Sequence, residues 1–202
     1  FGAPVPFPDH AARASLASVR MQEKLALMRS EWKKTGEPLL TARIGLCTGP
    51  MVVGNMGSKT RMDYTIMGDS VNLASRLEGA NKQYGTSIMA ANTTYMEASE
   101  AIEGRLIDVI RVVGKKTPVS VYELLTAKGE LDQKDTCWLA AYSEAREFYV
   151  QKRWPEALAA FNRTLELNPE DALSKTYIER CNRFMKDPPP EDWDGVYTLT
   201  SK

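Results

Sequence analysis

Asn72 and Arg76 stand four residues apart within RMDYTIMGDSVNLASRLE, Arg61 to Glu78. On a helix that spacing puts an amide and a permanently charged guanidinium on one face. Such a pair can hold a sugar oxygen and a phosphate together. Leu73, Leu77 and Tyr84 fall on a neighbouring stripe, which predicts the core-facing side of the same helix. A β-rich stretch, Met62 to Met67, runs into Gly68-Asp69 immediately before it. Taken alone, the pair is more often a solvated helix face than a binding site, because exposed polar pairs are the commoner case.

Periodicity places the elements that must position this strand–helix unit. Asp9 is in place to cap a helix running to about Lys34, with Met21, Leu25, Met28 and Trp32 predicted as its core stripe. Gly36-Glu37-Pro38 breaks that helix. Leu40, Ala42, Ile44 and Leu46 alternate with Thr41, Arg43 and Gly45, which predicts a strand with one buried face. Met51 to Val53 reads as a short strand and Gly54 to Ser58 as a turn. Asp69 is the predicted cap of the Asn72/Arg76 helix, and Gly85 its terminator. Ser87 to Ala90 is a predicted strand, and Thr94 to Glu97 has capping-box spacing. Arg105 to Val113 and Val119 to Leu125 predict a hairpin around Gly114-Lys115-Lys116-Thr117-Pro118. Alternating strands and helices make this part α/β or α+β.

Composition excludes several functions. Of 202 residues, 26 are Lys or Arg and 26 are Asp or Glu, so no global field draws the chain to nucleic acid or an anionic membrane. No apolar run approaches the ~18 residues of a membrane span, and the region reads as cytoplasmic. Cys47, Cys137 and Cys181 lack metal spacing and read as reduced, buried thiols. His10 is the only histidine, which rules out a His-rich metal site. The glycine-rich GNMGSKT fails as a P-loop, because Ser58 separates Gly57 from the lysine.

The longer run from Arg43, RIGLCTGPMVVGNMGSKTRMDYTIMGDSVNLASRLEGANK, resembles the catalytic domain of class III nucleotidyl cyclases, through VYELL at Val121 to Leu125. The resemblance implies an α+β, ferredoxin-like nucleotidyl cyclase sheet with helices over residues 1–126. It implies that ATP becomes 3′,5′-cyclic AMP and pyrophosphate, with two Mg²⁺ or Mn²⁺ ions activating the 3′-oxygen and clamping the phosphates. Asn72 then matches the ribose-orienting asparagine, and Arg76 the arginine that stabilises developing phosphate charge. Thr65 matches the base-selecting position in its adenine form, and backbone groups of Ile66 complete the adenine edge. In the hairpin, Val113 stands where the family has a phosphate-binding lysine, and Lys115 and Lys116 remain as nearby cations, Lys115 being the assigned substrate contact. The family's two metal aspartates and its base-selecting lysine belong to a segment before Phe1, and Asp9, Asp63 and Asp69 do not match them. The chain therefore reads as a cut through a longer protein, with the sheet incomplete at its N-terminus, and the resemblance is to whole proteins that are often membrane-anchored through their N-terminal half. The family works as head-to-tail dimers, so a homodimer is expected and the isolated fragment is expected to be inactive.

Residues 127–136 read as a linker. Residues 137–187 resemble a tetratricopeptide repeat, with Phe148, Trp154, Ala157, Phe161, Leu165 and Pro169 at its signature spacing and Glu144 departing from it. Lys175 to Lys186 reads as a capping helix, and residues 188–202 as a proline-rich tail. Two other functions stay open: a non-catalytic regulatory module that binds a protein partner through the helical tail, and a guanylate cyclase.

Overall fold

The computed structural model describes residues 1–58, 60–111 and 117–198. Its elements in chain order are α1 (His10–Thr35), β1 (Ile44–Leu46), β2 (Val52–Ser58), β3 (Arg61–Met67), α2 (Asp69–Tyr84), β4 (Ile88–Ala91) and α3 (Asn92–Ala98). There follow β5 (Ile102–Arg111), β6 (Val119–Ala127), α4 (Gln133–Val150), α5 (Trp154–Leu167), α6 (Ala172–Lys186) and β7 (Tyr197–Thr198). Five strands form one sheet in the order β1-β4-β6-β5-β7. The outer pairs β1–β4 and β5–β7 are parallel, and the two inner pairs are antiparallel. β2 and β3 form a separate antiparallel hairpin.

The period of two divides the core between the sheet's faces. Ile88 and Ala90 of β4 pack with Val19, Ile102 and Leu124 and with half-buried Ile44, Leu46 and Tyr95, on the α1/α3 side. Met89 and Ala91 face the other way, into the larger cluster with Leu73, Leu77, Tyr84, Ile107, Ile110 and Val121. Tyr142, Tyr149, Trp154, Phe161 and Tyr177 from α4, α5 and α6 join that same cluster. The three C-terminal helices thus form one layer with α2 over one face of the sheet.

Several local expectations need correction. The strand read from Leu40 begins only at Ile44, because pairing with β4 starts there and Leu40 is exposed. Met21 and Met28 are exposed, whereas the buried face of α1 is Ala11, Ser15, Ser18 and Val19. Small side chains let the first half of that helix lie close, while Leu25 and Trp32 of the predicted stripe are only half-buried. Gly54 to Ser58 is strand rather than turn, paired residue by residue with Arg61 to Thr65. Helix α3 starts at Asn92, so Thr94 lies inside it, and its hydroxyl accepts from the Thr48 amide at 2.7 Å. Cys137 is exposed.

The polar stretch after β6 turns at Gly129, and α4 begins at Gln133, capped by Asp132 accepting from the Asp135 amide at 2.7 Å. Pro155 opens α5 in the first turn, where a missing N–H costs nothing. Phe161 stacks on Tyr177, with ring centroids 4.9 Å apart, and Ala157 is fully buried. Glu144, the departure from the repeat signature, is exposed and pairs with Arg163 at 3.2 Å.

Candidate functional site

Helix α2 follows β3 with one residue between them. Gly68 is that residue, at φ +156°, and its carbonyl accepts from the amides of Val71 and Asn72. A Cβ here would lie 3.0 Å from the Pro50 carbonyl oxygen, so the close approach favours glycine. Gly68 occupies the N-cap position. Asp69, the predicted cap, is instead the first residue of the helix, an acid in its first turn. Gly85 ends the helix in the left-handed conformation.

Leu73, Leu77, Ala80 and Tyr84 are buried along one side of α2, and Asn72 and Arg76 are both exposed on another. The amide and guanidinium are therefore brought together on an accessible face. β3 is exposed at every position, Thr65 and Ile66 included. Thr65 lies opposite Gly54, and Ile66 opposite Val53. Lys115 and Val113 lie outside the described residues.

Apart from Tyr84, the anchoring of α2 rests on residues to which sequence reasoning gave no such part. A Cβ on Gly45 of β1 would sit 2.0 Å from the Ala74 carbonyl oxygen and 2.4 Å from the Glu78 amide nitrogen, so backbone packs directly on backbone. A Cβ on Gly49 would sit 2.2 Å from Ser70 Oγ. Asn81, fully buried, donates to the Ile44 and Leu77 carbonyls at 3.0 Å and accepts from Thr86 Oγ1 at 2.7 Å. Arg43 pairs with Glu78 at 3.1 Å across the same seam. At the far end Tyr84 donates to Asp108 Oδ2 at 2.7 Å, and Arg180 of α6 donates to the same oxygen at 2.6 Å. Burial, with Asp108 adjacent, pushes the Tyr84 hydroxyl far above the usual phenol range and keeps it a donor. The readable signals were a glycine within a strand-like alternation of apolar residues, Leu40 to Leu46, and an asparagine on the apolar stripe of α2.

No three His, Cys, Asp or Glu side chains converge among the described residues. Asp63 is exposed and pairs with Arg61 at 3.5 Å. The described residues do not fit a divalent metal ion.

A strand delivering a close-packed helix with an exposed amide–guanidinium pair is the arrangement the motif demands. The sequence profile of the Adenylate and Guanylate cyclase catalytic domain matches residues 1–126. The chain belongs to this family. Adenylate cyclase 1 of Rhizobium meliloti is 37% identical over 125 residues, which cover 62% of this chain and 19% of that protein. The terminal-differentiation specific adenylate cyclase of Dictyostelium discoideum is 31% identical over 183 residues, 87% of this chain and 8% of its own length. That second likeness runs past residue 126 into the C-terminal helices. The chain thus spans a small part of these curated relatives. The crystal structure of the adenylyl cyclase CyaB from P. aeruginosa superposes with a TM-score of 0.56 at 34% identity, covering 65% of this chain and 68% of that one. The mixed α+β cyclase-like fold is shared. No helix among the described residues is long and apolar enough to cross a membrane.

Proposed function

We propose that this cyclase domain serves an adenylate cyclase and supplies the half of its site that holds ribose and phosphate. In that reaction the ribose 3′-oxygen bonds to the α-phosphorus, the 3′-hydroxyl proton is lost, and the bond to pyrophosphate breaks. Asn72 orients the ribose. Arg76 meets the negative charge that grows on the α-phosphate, where a fixed, preorganised cation stabilises the transition state most. Thr65 accepts from the adenine amino group, with backbone groups of Ile66 completing that edge. Lys115 is the assigned cation near the phosphates.

The observation that carries this reading is the joint exposure of Asn72 and Arg76 on one helix whose opposite side is locked to β1, β5 and α6. Rigid elements place catalytic groups more accurately than loops do. The Mg²⁺ or Mn²⁺ ions belong to carboxylates other than those described here, and a second copy of the chain in a homodimer is the proposed source of the complementary half-site. On this view the isolated chain turns over no ATP. The helical tail, tetratricopeptide-like in spacing, is a layer of the catalytic unit. Its signature residues Trp154, Ala157 and Phe161 are buried in the shared core.

Turnover of ATP and of GTP by the full-length protein tests the assignment. Preference for ATP, reduced by Thr65→Val, is the predicted result. A preference for GTP makes the protein a guanylate cyclase, and no turnover of either makes the domain a regulatory module.

A further inference from the structure

Three arginines are buried beneath the C-terminal helices, and two of them meet carboxylates. Arg105 forms a two-pronged pair with Asp171 at 2.7 and 2.9 Å, and Arg180 meets Asp108 at 2.6 Å. Arg146 of α4 differs. It is only 7% exposed, and no carboxylate among the described residues lies within 4.0 Å of its guanidinium. Its Nε donates to Tyr177 Oη at 3.2 Å. That hydroxyl in turn donates to the Ile107 carbonyl at 2.6 Å. Burial, with Asp108 nearby, pushes the Tyr177 hydroxyl up to about 12, so it stays neutral and cannot balance the arginine. Among the described residues, no acceptor meets the other guanidinium N–H groups of Arg146. A guanidinium remains charged at every ordinary pH. Asp108 attracts it electrostatically, but that carboxylate is already taken up by Arg180 and Tyr84. Burying a guanidinium with no direct anionic partner is costly.

Arg146 also lines a cleft of about 430 Å³ between β5 and α4. Leu106, Val109 and Val150 form its apolar walls. Ser143 and Glu147, both exposed, stand on its solvent side. A cleft of this size, mainly apolar with one buried charge, has the make-up of a small-molecule site. No lining residue belongs to α2 or β3, so the cleft is separate from Asn72 and Arg76.

We propose that this cleft binds a small carboxylate with an apolar body. The carboxylate takes the open donors of the Arg146 fork, a geometry that guanidinium and carboxylate share. The apolar body lies along Leu106, Val109 and Val150. Glu147 at the rim disfavours a second negative charge, which selects a monoanion over a phosphate dianion.

The test titrates hexanoate into the full-length protein at fixed ionic strength, followed by ligand-observed NMR, with 1-hexanol and inorganic phosphate as comparison probes. Saturable hexanoate binding that weakens at least about tenfold in Arg146→Met is the expected result. Ser143→Trp changes an exposed helix position and fills the cleft mouth. It should abolish binding while leaving thermal stability unchanged, and it decides the matter if Arg146→Met fails to fold. Absence of hexanoate binding, equal binding to wild type and Ser143→Trp, or binding of hexanol or phosphate as tight as hexanoate would each overturn the proposal.

Discussion

Gly45→Ala is the sharpest perturbation of the candidate site that touches none of its chemistry. The added Cβ would lie 2.0 Å from the Ala74 carbonyl oxygen and 2.4 Å from the Glu78 amide nitrogen. A comfortable carbon–oxygen contact is about 3.3 Å, so β1 and α2 must separate by about 1.3 Å along that line, 3.3 less 2.0. Both obstacles are helix backbone, so no side-chain rotation relieves them. Ala74 lies midway between Asn72 and Arg76, and both functional groups move with it. Over-packing of this kind costs about 1–3 kcal/mol of stability, and a displacement of about 1 Å in a catalytic group costs on the order of 10²-fold in rate. Gly79→Ala is the control, since its Cβ would meet nothing within 4 Å. It should stabilise by about 0.5–1 kcal/mol without slowing turnover. The assay is cyclase turnover of the full-length protein, with the thermal midpoint of each variant measured alongside. A Gly45→Ala enzyme as fast and as stable as wild type would refute the claim that this seam positions α2.

The buried ion pairs yield further predictions. Arg180→Met removes the cation that meets the buried Asp108 side chain and should cost about 3–5 kcal/mol in urea unfolding, and adding Asp108→Asn should recover part of that loss. Asn81→Ala strands the Ile44 carbonyl and the Thr86 hydroxyl and should cost about 1–3 kcal/mol by the same measurement. Stability against pH should show two opposed contributions. Burial raises the Asp171 carboxyl, but the Arg105 fork and the Ser174 hydroxyl outweigh it and hold it below its ordinary 3.8. Its stabilisation is therefore present above the unfolded value and lost as pH falls through the folded one. Burial raises Glu123 above its ordinary 4.5 against the pull of Arg105, so protonating it on the way down relieves a cost. Unfolding followed by tryptophan fluorescence should show stability rising slightly in weak acid, then collapsing below about pH 4, with the rise absent in Glu123→Gln.

The strand–Gly68–helix unit was legible because its signals are local. A β-rich run, a glycine and an amphipathic stripe each act within a few residues, and α2 ends at Gly85 as its sequence demands. The exposure of Asn72 and Arg76 followed from the same stripe. What could not be read depended on distant partners. Leu40 looks like strand, but pairing with β4 begins at Ile44. Met21 and Met28 look like core, yet the described sheet lies under the other half of α1. Gly54 to Ser58 looked like a turn by composition and is strand because Arg61 to Thr65 pairs with it. The C-terminal helices were recognisable, but their union with the sheet was not. Arg105–Asp171 and Arg180–Asp108 span 66 and 72 residues of chain, and single charged residues give no hint of their partners.

Arg76→Ala in the full-length protein tests the central claim most directly. The side chain is exposed, so the variant should keep its thermal midpoint. Its kcat for ATP should fall on the order of 10²-fold or more, with KM changing far less, because the lost interaction strengthens only as phosphate charge develops. A kcat within twofold of wild type in a folded variant would contradict the account and remove Arg76 from the mechanism.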